Sequence, residues 1–286
     1  MIDRTYFTIA LVLLFGLLFV WERRAPLRRS RRPQRERLLV NAGIAVLAFA
    51  AAILLVRPVA LAVLQRASAA SFGFVHVLPM GPAAQFVLSF LLMDLTFYWW
   101  HVANHRVPFL WRFHNVHHID PDLDASTAFR FHAGEVALST VFRVVQVSAI
   151  GLSAWTFAVY ELVFQANTLF HHSNVRLPIR IERLLNLVMV TPRMHGIHHS
   201  QVHRETDSNY SVVFSWWDRL HRTVRLDVPQ SEIVIGVPAY STPADNTFSH
   251  DLALPFRHQR DYWHRSDGDV QSDRAISPAK RSQLAE

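Results

Sequence analysis

The chain has 286 residues, of which 51% are hydrophobic and only 18% are charged, whereas a typical soluble domain has about 25% charged residues. This balance indicates a membrane protein and excludes a disordered or fibrous chain. Cysteine is absent, which excludes disulfides, iron–sulfur clusters and a catalytic thiol, so any metal must bind nitrogen or oxygen. Histidine, in contrast, occurs 17 times.

Four apolar regions follow one another along the chain, and we expect helices in each of them. They are 6–21, 38–64 with an interruption at Arg57-Pro58, 83–100 with Asp94 inside it, and 135–170, which we expect to form two short spans that meet near Gly151. The predicted fold is an all-α integral membrane protein. It has about four to five transmembrane or hairpin helices and a cytoplasmic cap rich in histidine.

We expect three regions. Residues 1–83 are N-terminal membrane helices with an arginine-rich loop, and residues 84–225 are a second region that contains most of the histidines. Residues 226–286 are a C-terminal cytoplasmic extension, and the polar segment 265–286 is predicted to be disordered.

Positive charge is concentrated between the first two apolar regions. The net charge is +7, and residues 22–37 contain eight Arg and two Glu. By the positive-inside rule this run is a cytoplasmic loop, which we favour over nucleic-acid binding. If so, counting spans from the loop places every histidine cluster on the cytoplasmic face.

Most of the histidines fall into four clusters. The clusters are His101-x-x-x-His105, His114-x-x-His117-His118, His171-His172 and His195-x-x-His198-His199, and His132 stands alone. Residues three and four apart share one face of a helix. We therefore expect each HxxHH pattern to direct its three rings to one point, with Pro108 separating the first two clusters into two helices. Neutral imidazole suits first-row transition metals, and so many rings predict two ions.

The sequence contains no motif typical of several other metal sites or of nucleotide binding. The sequence lacks HExxH, ExxH and the glycine-rich nucleotide motifs, which argues against thermolysin-type proteases, ferritin-like bundles and nucleotide cofactors. A haem would leave most of the histidines unexplained.

The order of the clusters resembles the fatty acid hydroxylase/sterol desaturase superfamily. The similarity extends from about Asp94 to Thr223 and includes the segments 110–114, 129–135, 170–178, 191–195 and 206–219. Val102 and Ala133 depart from the family pattern, where Arg and Pro are usual, and this affects the subfamily and the substrate.

The resemblance implies a membrane-bound non-haem di-iron oxygenase that hydroxylates or desaturates a lipid, such as a sterol or fatty acyl chain. It would use O2 and an external electron donor of the cytochrome or ferredoxin type. The ligands that it implies are His101, His105, His114, His117, His118, His132, His172, His195, His198 and His199. It leaves His171 as a neighbour without an assigned role.

Three polar residues are candidates for orienting these ligands. A carboxylate inside a span is usually functional, so Asp94, two turns before His101, could accept a ring N–H. Glu135 could do the same or only cap the next helix, and Asn209, like Asp207, could orient the last cluster or form a turn. A zinc-dependent membrane hydrolase and a non-enzymatic metal protein remain alternatives at this stage.

Overall fold

The computed structural model describes residues 4–264, and their regular structure is helical, with isolated β-bridges and no strand. The predicted all-α class is therefore confirmed, while the predicted disordered tail 265–286 lies outside the described residues. The α-helices are α1 Arg4–Arg24, α2 Gln34–Ala51, α3 Arg57–Ala69, α4 Pro82–Arg106, α5 Pro108–His118, α6 Ala133–Ile150, α7 Ala154–His172, α8 Ile179–Asn186, α9 Pro192–His198, α10 His203–Thr206, α11 Trp216–His221 and α12 Phe248–Ala253.

Four helical stretches in this part of the chain are long and apolar enough to cross a membrane. They are Thr5–Arg24, Gln34–Ala67, Pro82–Arg106 and Ala133–Ile150. In the first stretch only 11% of the most apolar 18-residue window is buried inside the structure. Its exposed side chains include Ile9, Val12 and Leu13. Such a surface is unfavourable in water and is typical of a helix that faces lipid.

The second stretch is one continuous helix, so the expected interruption at Arg57-Pro58 is wrong. A π-helical turn, Ala52–Val56, joins α2 to α3. Proline has no N–H to donate to the carbonyl four residues earlier, and its ring crowds that carbonyl. A local π turn accommodates the proline without ending the helix.

The corner between α6 and α7 lies where the sequence predicts it. Gly151 ends α6 in the left-handed conformation, with φ of 77°, and the loop at Gly73 packs against it so closely that a Cβ on Gly73 would lie 2.3 Å from the Gly151 Cα. The charge within α6 is paired, since Arg143 lies 3.0 Å from Glu161 of α7. This pairing makes a polar residue tolerable inside an apolar bundle.

Pro108 separates α4 from α5, as predicted. Val107 is extended, with φ of −94° and ψ of 112°, because the residue before a proline is disfavoured in the helical region. Proline then occupies the first position of α5, where its missing N–H costs nothing. The result is a sharp turn that brings the end of α4 beside α5.

The segment after residue 225 packs on the same body. Arg130 and Asp251 form an ion pair of 2.6 Å that is fully buried, and Tyr240 and Leu254 join the apolar cluster around Trp111 of α5. The apolar segments 210–214 and 232–237 form no strand, and each contributes one residue to an isolated β-bridge, Met189↔Phe214 and Ser200↔Ile235. The three-region division of the chain stays a prediction.

Candidate metal centre

The histidine clusters meet at one end of the helical bundle. α4 and α7 end at this point, and α5 and α9 lie beside them. Nine histidines form two groups, in each of which the possible ligand nitrogens all lie within 4.8 Å of one another. The five-histidine group comprises His101, His105, His114, His118 and His198, and the four-histidine group comprises His117, His172, His195 and His199.

Each HxxHH pattern is divided between the two groups, which corrects the expectation that its three rings share one point. In α5, His114 and His118 belong to the five-histidine group, whereas His117 belongs to the other. In the second pattern the assignment is reversed, since only His198 joins the five-histidine group. Positions i+3 and i+4 differ by about 100° around a helix, which is enough to direct adjacent rings to neighbouring points.

The four-histidine group has the spacing of a coordination shell. The Nε2 atom of His172 lies 3.1 Å from Nε2 of His117 and 3.0 Å from Nε2 of His195, which in turn lies 3.1 Å from Nε2 of His199. Imidazole nitrogens bound to one first-row metal at about 2.0–2.1 Å lie about 3.0–3.4 Å apart.

The tautomer of His172 strengthens this argument. Its Nδ1–H donates to the Thr168 carbonyl at 2.8 Å, because a carbonyl can only accept. The Nε2 atom of His172 therefore presents a lone pair to two neighbouring nitrogens. One lone pair cannot accept two full hydrogen bonds, so a cation shared by the four nitrogens fits the arrangement.

Hydrogen bonds to oxygen atoms orient three rings of the five-histidine group. Nδ1–H donates to the Tyr210 carbonyl at 2.7 Å in His101, to Glu135 Oε1 at 2.9 Å in His114, and to the Ser208 carbonyl at 2.7 Å in His198. These contacts leave Nε2 as the unprotonated ring atom, and they are the outer hydrogen bonds that metal-ligating histidines typically make.

Several buried ring nitrogens of the two groups lack a hydrogen-bond partner. Among the nine histidines, they are Nε2 of His105, His114, His118 and His198, and Nδ1 of His117, His195 and His199. Leaving so many buried polar atoms unpaired costs free energy. Metal ions fit the five-histidine group because bound ions would satisfy its free Nε2 atoms.

His118, His198 and His199 are held neutral, which is the state that binds metal. Burial and the nearby His199 ring hold the pKa of His118 well below its usual value near 6.5, and burial with the His117 ring does the same to the pKa of His199. Burial lowers the pKa of His198 to about 3. The centre therefore presents uncharged donors at neutral pH.

The comparisons with known proteins agree with this geometry. Residues 86–223, which include all nine histidines, match the family model described as fatty acid hydroxylase. Residues 86–223 therefore form a fatty acid hydroxylase domain, which confirms the resemblance to the superfamily that the histidine clusters indicated. It is 29% identical over 180 residues to alkylglycerol monooxygenase of Homo sapiens, with 61% of this chain and 37% of the relative covered. No solved structure matches the chain.

The names of two further relatives refer to other lipids. The chain is 28% identical over 138 residues to cholesterol 25-hydroxylase of Homo sapiens, covering 47% of this chain and 49% of the relative. It is 29% identical over 174 residues to ornithine lipid hydroxylase OlsE of Rhizobium tropici, covering 61% and 51%. The chain thus spans about a third to a half of the length of these relatives.

His132 lies outside both groups. It caps α6, where its Nδ1 accepts from the Gly134 N–H at 2.9 Å and its Nε2 donates to the Leu252 carbonyl at 3.2 Å. Both ring nitrogens are thus engaged, and the structure does not bring this expected ligand to either group. The ring of His171 lies beside that of His195, with centroids 4.2 Å apart and planes inclined by 53°, and His171 likewise belongs to neither group.

Asp94 does not contact a histidine, so its expected role is wrong. Its carboxylate accepts from the backbone N–H of Val213 at 3.3 Å and of Phe214 at 2.9 Å, and from the Trp217 indole at 2.8 Å. It therefore ties α4 to the segment before α11. Asn209 donates to the Met194 carbonyl at 2.9 Å, next to His195, without touching a histidine ring.

Sequence reasoning missed Tyr210 as part of the centre. Its ring contacts those of His101, His105 and His198, with centroids 5.1–5.8 Å apart, and its hydroxyl donates to Asp207 at 3.2 Å. The resemblance over 206–219 was the available signal. The backbone carbonyls that accept hydrogen bonds from the histidine rings could not be predicted, because every residue type has the same carbonyl.

Proposed function

We propose that this protein is a membrane-bound, non-haem di-iron oxygenase that hydroxylates a C–H position of a lipid. The observation that supports it most is the pair of adjoining groups of buried, neutral histidines within a fatty acid hydroxylase domain. Five donors and four donors suit two ions of a first-row metal. The three relatives are named as a monooxygenase and two hydroxylases, which supports hydroxylation in general.

The histidines would hold one ion in each group. When bound, two iron ions supply dioxygen activation and the removal of hydrogen from an unactivated C–H bond. The protein fixes the ring orientations from outside, as Glu135 does for His114 and Thr168 does for His172. Burial of the rings, with His198 and His199 fully enclosed, excludes water from the reaction.

The membrane supplies the substrate in this proposal. The candidate span Pro82–Arg106 carries two histidines of the centre near its C-terminal end, so an apolar chain in the bilayer would have a short path to it. We place this end of the bundle on the cytoplasmic side, because the arginine-rich run 22–37 favours that orientation. A separate redox protein of the cytochrome or ferredoxin type would supply electrons.

Oxygen dependence separates this proposal from a zinc hydrolase. Lipids are extracted from cells that produce the protein and from cells that produce His117→Ala, and their masses are compared. We expect one lipid class to be heavier by one oxygen atom only with the unaltered protein and only when air is present. A lipid lighter by two hydrogens would indicate desaturation instead, and a mass change that persists without oxygen would refute an oxygenase.

A further inference from the structure

A cavity of ≈ 390 Å³ lies beside the connection between α1 and α2, and none of its lining residues is a histidine. This volume is within the range of small-molecule sites, about 300–1,000 Å³. Its charged lining comprises three acids and six arginines: Glu22, Asp122, Asp124, Arg23, Arg28, Arg29, Arg31, Arg32 and Arg37. The lining is therefore basic.

The acids of the lining already have partners. Glu22 lies 2.8 Å from Arg23 and also accepts from the backbone N–H of Asn174 at 2.9 Å. Asp124 pairs with Arg37. Asp122 accepts from the backbone N–H groups of residues 31 and 32, at 2.8 and 3.0 Å. Each of the three carboxylates is therefore already engaged in hydrogen bonds or an ion pair.

Among the described residues, no carboxylate lies within ion-pair distance of the Arg28 guanidinium. Its residue is 9% exposed, and only Nη1 is engaged, donating to Gln230 Oε1 at 2.6 Å and to the Pro192 carbonyl at 3.4 Å. Within residues 4–264, its buried Nε and Nη2 atoms have no hydrogen-bond partner. A buried guanidinium with two free donors is costly unless an anion completes it.

Hydrogen bonds and close packing fix the position of Arg28. Its backbone N–H donates to Asn174 Oδ1 at 2.9 Å, and the Asn174 amide returns a bond to its carbonyl at 2.8 Å. Its guanidinium also lies against Gly196, where an added Cβ would come within 2.2 Å of Nη1. The reciprocal pair fixes the arginine at the wall of the cavity.

We propose that this cavity binds a phosphate group, of the kind that the headgroup of a phospholipid presents. Nε and an Nη atom on the same side of a guanidinium form a fork that matches two phosphate oxygens. The cavity lies beside the connection between the candidate spans Thr5–Arg24 and Gln34–Ala67, and the ends of membrane spans lie near the headgroup region of a bilayer. Free inorganic phosphate has the same chemistry, so the test includes both sources.

The probes are dihexanoylphosphatidylglycerol and inorganic phosphate, titrated into the full-length protein in a non-ionic detergent at constant ionic strength. Dihexanoylglycerol, which lacks phosphate, is the control ligand. We expect the melting temperature to rise with the phosphate-bearing probe, because a ligand that binds the folded state stabilises it. A shift with the lipid alone identifies a headgroup site, and a shift with inorganic phosphate identifies a site for the free anion.

Arg28→Gln should weaken binding of the effective probe at least about tenfold, since it removes the charge-assisted fork. Arg35→Gln is the matched control, because Arg35 is exposed in the same basic run but does not line the cavity. Arg28→Lys keeps the charge without the fork and should bind more weakly than the unaltered protein, which keeps the test valid if Arg28→Gln does not fold.

Three results would overturn the proposal. They are the absence of any shift with both phosphate-bearing probes, an equal shift with dihexanoylglycerol, and unchanged binding in a folded Arg28 variant. The histidine groups take no part in this measurement. The outcome is therefore independent of the oxygenase activity.

Discussion

The rings of His118 and His199 are stacked, with centroids 4.4 Å apart and planes inclined by 14°. His118 belongs to the five-histidine group and His199 to the four-histidine group, so this contact joins the two. Two ions held by these groups would therefore be neighbours, which is the arrangement that chemistry at a two-metal centre requires.

The division of each HxxHH pattern predicts which substitutions remove the same ion. His114→Ala and His198→Ala come from different patterns but one group, and each should lower bound metal by about one equivalent, as should the double variant, because ligands act together at one ion. His114→Ala with His117→Ala, from one pattern but two groups, should lower it by about two. Metal content of the purified proteins is the measurement.

His258→Ala is the control for these variants, since His258 is exposed and lies in neither group. It should retain all of the metal. If the double variant within one pattern lost no more metal than either of its single variants, the assignment of ligands to two groups would be wrong.

Glu135 should set the affinity of the five-histidine group. Glu135→Gln keeps an oxygen acceptor for His114 but removes its charge, and Glu135→Ala removes both. Loss of such an outer partner typically weakens metal affinity about 10–100-fold, so we expect that range for Ala and a smaller loss for Gln. Competition with a chelator measures it, and Glu36→Gln, at an exposed position in α2, should leave the affinity unchanged.

Asp94 should matter for folding rather than for metal binding. The carboxylate of Asp94 accepts hydrogen bonds from several N–H groups, including the Phe214 N–H and the Trp217 indole. In Asp94→Asn, the side-chain NH2 group would face some of these donors and could not accept their hydrogen bonds. The expected loss is about 2–3 kcal/mol of unfolding free energy. The melting temperature should therefore fall while metal content stays full at low temperature. Metal loss from a folded variant would show that this residue acts on the centre.

Acid should destabilise the metal-free protein. The pKa of His198 is about 3 in the folded protein, against 6.5 for a free histidine, so the unfolded chain binds the proton first as the pH falls. Stability is therefore flat above about pH 7 and decreases from about pH 6.5 towards pH 3, by up to about 1.4 kcal/mol per pH unit for this group. A melting temperature that is constant from pH 7.5 to 5 would contradict this.

Much of the site was predictable because its ligands lie close together in sequence. Spacing alone identified the clusters, and Pro108 separated the first two. The division of each pattern was not predictable, because both faces of a short helix are buried here and the sequence does not show which ring meets which. The role of Asp94 was missed for a similar reason, since its partners lie about 120 residues later in the chain.

The most direct test of the proposed activity uses isotopically labelled dioxygen. Membranes that contain the iron-loaded protein are supplied with an electron donor and ¹⁸O2, and their lipids are analysed by mass spectrometry. If the histidine groups form a hydroxylating di-iron centre, one labelled oxygen atom appears in a lipid, and the label is absent with His117→Ala or His118→Ala. Unlabelled hydroxylated lipid, or equal labelling with either variant, would contradict the account.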